Sequence, residues 1–138
     1  MVQQLIELHK TVAAPLLTVG LLRRILVAVQ RVSQLPKSWK TVSVAVVGDQ
    51  VMRRLNRQHR QANYIPDVLS FPYGEDGGEI VICYPQLLRQ AKQKQVDPKR
   101  ELIWLCIHGM LHIAGYDHET AQDAKVMRPL EQMILSYV

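Results

Sequence analysis

Only two cysteines, Cys83 and Cys106, stand in the 138 residues. That is too few for a disulfide-framed mini-protein. Two unpaired thiols suit a reducing cytosol, where they serve as small buried hydrophobes. No apolar run reaches the ~18–20 residues that a membrane-crossing helix needs. The best stretch, residues 12–22, holds Pro15 and Gly20 and ends at Arg23-Arg24. A basic segment leading into an apolar core is missing from the N-terminus, so no signal peptide is expected. Internal repeats, low-complexity tracts and linker-like stretches are absent too. Acid is scarce in one region: residues 1–40 hold six Lys and Arg against Glu7 alone.

What is present is the composition of a soluble globular chain, 48% hydrophobic and 21% charged. A chain of this length buries roughly 68–70% of its unfolded surface and folds without disulfides. One domain over residues 1–138 is expected. The net charge of +5 permits an anionic partner without requiring one.

Residues 2–10 read as a strand. Pro15 suits the first turn of a helix over residues 16–32. Residues 34–40, with Pro36, form a loop. The β-branched alternation of residues 41–47 predicts a strand. Asp49 then serves as N-cap of a helix to about His59. Residues 67–73 and 79–84 read as two strands joined by a Gly-rich turn. Pro85 opens a helix to about Lys94. Asp97-Pro98 starts another that should stop at Gly115. A last helix covers about residues 120–137. Four strands and about five helices in irregular alternation predict an α+β domain with a mixed sheet.

Three of the five histidines, His108, His112 and His118, fall within 11 residues, where an even spread would place about 0.4. His108 and His112 are i, i+4, so a helix projects both imidazoles from one face at adjacent turns. A third ligand requires the chain to turn back, and Gly115 tolerates the left-handed backbone that ends a helix. H-x-x-x-H-x-x-G-x-x-H matches the ligand spacing of the metzincin zinc peptidases, so a zincin-like metal-binding helix is expected. Three imidazoles without a thiolate favour zinc, one per chain, with nickel, copper and iron as other occupants of such a site. Three protein ligands leave a coordination position open, the pattern of catalytic rather than structural sites.

Metzincins carry Glu directly after the first His as general base; here Gly109 stands there. Peptide hydrolysis therefore lacks its usual base on this helix. Cleavage of RNA needs less, because the substrate supplies its own 2′-hydroxyl as nucleophile. Asp117 is either a turn residue or an orienting partner for a ligand imidazole. Glu101 is assigned only a favourable charge near a helix N-terminus. Arg53, Arg57 and Arg60 lie at i, i+4 and i+7 and form one basic stripe, while Met52 and Leu55 can face the core. The stripe is either a solvated face or a grip for phosphate, which guanidinium forks bind in bidentate fashion.

The chain resembles the YbeY family of metal-dependent endoribonucleases, which act in ribosomal RNA maturation. His108-Gly109-Met110-Leu111-His112-Ile113-Ala114-Gly115-Tyr116-Asp117-His118 is similar to that family's HGxLHLxGYDH. Leu55-Asn56-x-x-His59-Arg60 leading to Asp67-Val68-Leu69-Ser70-Phe71-Pro72 is similar to LNxxYR…TDVLSFP. Gly78-Glu79-Ile80-Val81-Ile82-Cys83 is similar to GDIxIC. The departures are His59 for Tyr, Asn63 for Asp, Ile65-Pro66 for Pro-Thr, and Glu79 for Asp. None falls on a candidate ligand.

The resemblance implies that His108, His112 and His118 bind zinc and that Arg60 is a cleft arginine acting in catalysis. It adds weight to the stripe as an RNA contact, with Arg57 as a substrate-binding residue. It further implies a cytoplasmic protein, with no membrane association, that cleaves single-stranded RNA and acts on ribosomal RNA and the small ribosomal subunit. Two alternatives stay open: a zinc hydrolase of another class, such as an atypical metallopeptidase, and a ribosome-assembly factor whose metal site is structural.

Overall fold

The computed structural model describes residues 5–33, 39–116 and 121–138. Its elements follow the chain as β1 (Leu5–Lys10), α1 (Val19–Val32), β2 (Thr41–Val47), α2 (Asp49–Arg60), β3 (Val68–Pro72), β4 (Gly77–Cys83), α3 (Tyr84–Lys94), α4 (Pro98–Ile113) and α5 (Ala121–Ser136), with one 3₁₀ turn, Gly74–Asp76, between β3 and β4. The fold is α+β, with five helices and one four-stranded mixed sheet of order β1-β2-β4-β3. β1 and β4 each run parallel to β2, while β3 runs antiparallel to β4 at the sheet edge.

Side chains alternate across this sheet and sort its two faces. Val42, Val44 and Val46 of β2 join Ile80 and Ile82 of β4 on one face. They meet α1, α3, α4 and α5 there in the main core. Val47, Val81, Cys83 and Leu69 point the other way, onto Met52 of α2, with Leu55 packed beside them. Both thiols are buried, as expected of structural cysteines. Burial pushes Cys83 up to about 11 and Cys106 to about 12, so neither is a thiolate at neutral pH.

Three boundaries differ from the sequence expectation. α1 begins at Val19 rather than near Leu16, because the Thr18 hydroxyl accepts from Leu21 N at 3.1 Å and caps the helix. Pro15 sits in a turn ahead of it. α2 has Gly48 at its cap position, and Asp49 lies inside the first turn. The Asp49 carboxylate instead accepts two bonds from Arg89, at 2.7 and 3.1 Å, and one from the Cys83 thiol at 3.3 Å. β4 starts two residues early, at Gly77, where a Cβ would stand 1.9 Å from the Thr41 carbonyl oxygen. Glycine reads as turn in a sequence; here it lets two backbones pair at close range.

α4 is the element that positions the site. Asp97 caps it, accepting from Lys99 N at 3.0 Å. Its C-terminus closes on Gly115, at φ 99°. Gly115 N donates to His112 O, and Tyr116 N to Leu111 O, both at 3.0 Å. This pair of bonds is the Schellman arrangement, so the helix stops where the sequence expectation placed the turn. Glu101 does more than charge the helix start: it is buried and holds Lys94 at 2.8 Å. The centre of the 34–40 loop, and His118 with Asp117, lie outside the described residues.

Candidate functional site

A cleft of about 600 Å³ opens between α4 and the loop that follows α2. Its lining brings together His108 and His112 of α4, Val68 and Ser70 of β3, and Arg60 with residues 64–67. Gln86 and Gln90 reach in from α3. Sequence reasoning named His108, His112 and Arg60, and the fold brings these three to one cavity.

The two imidazoles converge. His108 Nε2 and His112 Nε2 stand 3.1 Å apart, with ring planes 60° to one another. Two nitrogens bound at about 2.0–2.1 Å to one tetrahedral zinc stand about 3.3–3.4 Å apart, so this pair fits an ion with little adjustment. The other ring nitrogen of His108, Nδ1, lies 3.4 Å from Oε1 of Glu131 on α5. A ligand imidazole commonly turns its remaining N–H to such a carboxylate. Among the described residues no third His, Cys, Asp or Glu completes a cluster with this pair.

Glu131 was missed by sequence reasoning, although a signal exists. Met127, Glu131 and Ile134 are buried along one face of α5, with Leu130 packed beside them. An acid at 4% exposure on such a face needs a partner, and here the partner is a metal-ligand candidate. Asp67 was also passed over as a site residue. It precedes β3, its carbonyl accepts from Cys83 N at 2.9 Å, and burial pushes its carboxyl above the usual 3.8.

The stripe on α2 divides. Arg60 lines the cleft. Arg57, on the same helix, donates from Nε to Asn63 Oδ1 at 2.6 Å, and it is not among the cleft-lining residues. Arg53 lies near the Asp49 carboxylate, whose pairing with Arg89 is described above. The loop itself is fastened from beneath. Asn56, wholly buried, donates from Nδ2 to the Tyr64 carbonyl at 2.9 Å. Its own Oδ1 has no partner.

Gly109 turns out to be a packing residue. A Cβ there would lie 3.0–3.1 Å from the side chain of Ile80 on β4. The Cβ direction at the position after the first histidine therefore points at Ile80 of the sheet.

Comparison with known proteins gives consistent matches. A family model described as Endoribonuclease YbeY matches residues 9–138. The Endoribonuclease YbeY of Thermodesulfovibrio yellowstonii is 45% identical over 103 residues, covering 69% of this chain and 65% of the relative. That of Bordetella petrii is 41% identical over 100 residues, covering 69% and 64%. The chain thus spans just under two thirds of the length of these curated relatives. The solution structure of a Thermotoga maritima protein is similar with a TM-score of 0.66 and 25% identity, over 96% of this chain and 88% of that one.

Proposed function

The chain belongs to the YbeY family of endoribonucleases, and from that premise we propose that it is a zinc-dependent endoribonuclease that prefers single-stranded RNA. Its substrate is ribosomal RNA, processed with the small ribosomal subunit in the cytoplasm. The observation that carries the reading is the convergence of His108 and His112 at 3.1 Å in a cleft that Arg60 also lines.

His108, His112 and His118 would hold one zinc ion. When bound, the ion would polarise the oxygens of the scissile phosphate and lower the barrier to attack at phosphorus. Glu131 keeps the His108 proton on Nδ1, which turns the Nε2 lone pair toward the cleft. Arg60, lining the same cleft, neutralises the phosphate and fixes its orientation. Asp67 and Ser70 supply polar groups to the cleft lining that can orient the ribose and the attacking oxygen. A peptidase reading loses ground because Gly109 packs on Ile80, which leaves α4 without a base at the usual position.

The test joins metal content to cleavage. Untagged protein should carry one zinc by elemental analysis and cleave a single-stranded RNA until a chelator is added. Less than about 0.2 metal per chain after zinc loading would sink the metal site, since such sites hold their ion firmly. Arg60→Ala should cut the cleavage rate more than Arg60→Lys, with zinc content and Tm unchanged in both. Lysine keeps the charge and loses the planar fork. Full cleavage by Arg60→Ala would remove this residue from the site.

A further inference from the structure

We propose that Tyr64 is a seat on which one unpaired substrate base stacks beside the scissile phosphate, and that Asn56 and Arg57 are the mount that holds this seat in place. The proposal rests on the RNA-cleaving reading and says how the cleft distinguishes an unpaired strand.

Three exposed tyrosines occur among the described residues, Tyr64, Tyr73 and Tyr137, and of these Tyr64 alone lines the cleft. It is 58% exposed and shares the cleft lining with Arg60, His108 and His112. A tyrosine this open gives the core little, yet the chain at and just before it is tied to α2. Asn56 Nδ2 donates to the Tyr64 carbonyl at 2.9 Å, from a side chain with no exposure at all. Arg57 Nε donates to Asn63 Oδ1 at 2.6 Å. Gln61, left-handed at φ 53°, donates its N–H to Arg57 O at 3.2 Å. These bonds fasten the 61–64 turn to the last two turns of α2.

With the backbone beneath it fastened, only the ring's own torsions are fixed on binding, so stacking is realised as affinity. Every base has a π-face, so the seat reads no sequence. It reads strandedness instead, since a base inside a duplex already has both faces covered. Arg60 then meets the phosphate while Tyr64 holds the adjoining base. Arg57, engaged with Asn63, acts through the loop as a positioning residue rather than as a phosphate contact.

The experiment uses the zinc-loaded full chain and a short single-stranded RNA with one cleavage site. A second set of RNAs carries one abasic residue, moved stepwise along the strand. Tyr64→Phe keeps the ring and should cleave within twofold of wild type. Tyr64→Leu should raise KM about tenfold, with kcat and Tm unchanged. At one position next to the cleaved bond, the abasic residue should raise the wild-type KM by a similar factor. That position should have no effect on Tyr64→Leu. A Tyr64→Leu enzyme that matches wild type, or an abasic penalty equal in both, overturns the seat while RNA cleavage stands. Wild type that neither binds nor cleaves the intact RNA overturns both readings.

Discussion

Glu131 is the residue that contacts the histidine pair from α5. It is buried, and its Oε1 stands 3.4 Å from Nδ1 of His108, the ring nitrogen not shared with the His112 contact. Glu131→Gln keeps the shape and removes the charge that favours a proton on Nδ1. Metal affinity should then fall about 10–100-fold, as when other carboxylate partners of ligand imidazoles are changed. Competition against a chromophoric chelator measures this directly, and an unchanged affinity would make Glu131 a packing residue only. At this scale the histidine spacing was open to sequence reasoning, because i, i+4 on a helix is a geometric statement. Glu131, Asp67 and Asn56 were not, because each reaches its place through a tertiary contact with another element. Arg57 and Arg60 show the limit from the other side. They share one stripe, yet the loop after α2 takes Arg57 for itself and leaves Arg60 to the cleft.

Within α4 the determining feature is how close the helix lies to the sheet. Gly109 sits over Ile80, and Gly78 of β4 sits under Ile113, where an added Cβ would come within 2.9 Å of that side chain. Two glycines, one on each partner, thus set the height of the histidine pair above the sheet. Gly109→Ala should cost up to about 2 kcal/mol net, overpacking of about 1–3 kcal/mol against Ile80 outweighing the ~1 kcal/mol that alanine gains over glycine within a helix. Gly109→Glu should cost more, since it would also bury a charge without a partner. Thermal melts of the two variants check this, and a Gly109→Ala protein that melts with wild type would mean that α4 can lift. Element order was legible from β-branched runs, from Asp97-Pro98 and from Gly115. The start of α1 was not, because Pro15 and Thr18 are both credible openings and only the bond from Leu21 chooses between them. Gly77 and Gly78 read as turn for a similar reason: glycine marks both bends and close approaches.

For the molecule as a whole, three segments meet at the Asp49 clamp, which joins the start of α2 to the end of β4 and to α3. Hydrogen bonds from Arg89 hold the Asp49 carboxyl below its usual 3.8. A depressed carboxyl adds stability that is fully present above its unfolded value and is lost as the pH falls through the folded one. Asp49→Asn should therefore melt earlier than wild type at neutral pH, and the two Tm values should draw together as the pH drops below 3.8. A gap that persists in acid would mean that the clamp acts by shape rather than charge. The order β1-β2-β4-β3 carries a different kind of consequence. Val68 and Ile82 pair across 14 positions, whereas Leu5 with Thr41, and Thr41 with Gly77, each pair across 36. Closing the longer loops costs more entropy before any contact repays it. The β3–β4 hairpin, which carries Val68 and Ser70 of the cleft lining, is thus expected to assemble early. β1 leaves the ribosome ahead of β2, β3 and β4, yet it must wait for β2, its partner in the sheet, so the order of synthesis and the order of assembly run in opposite directions.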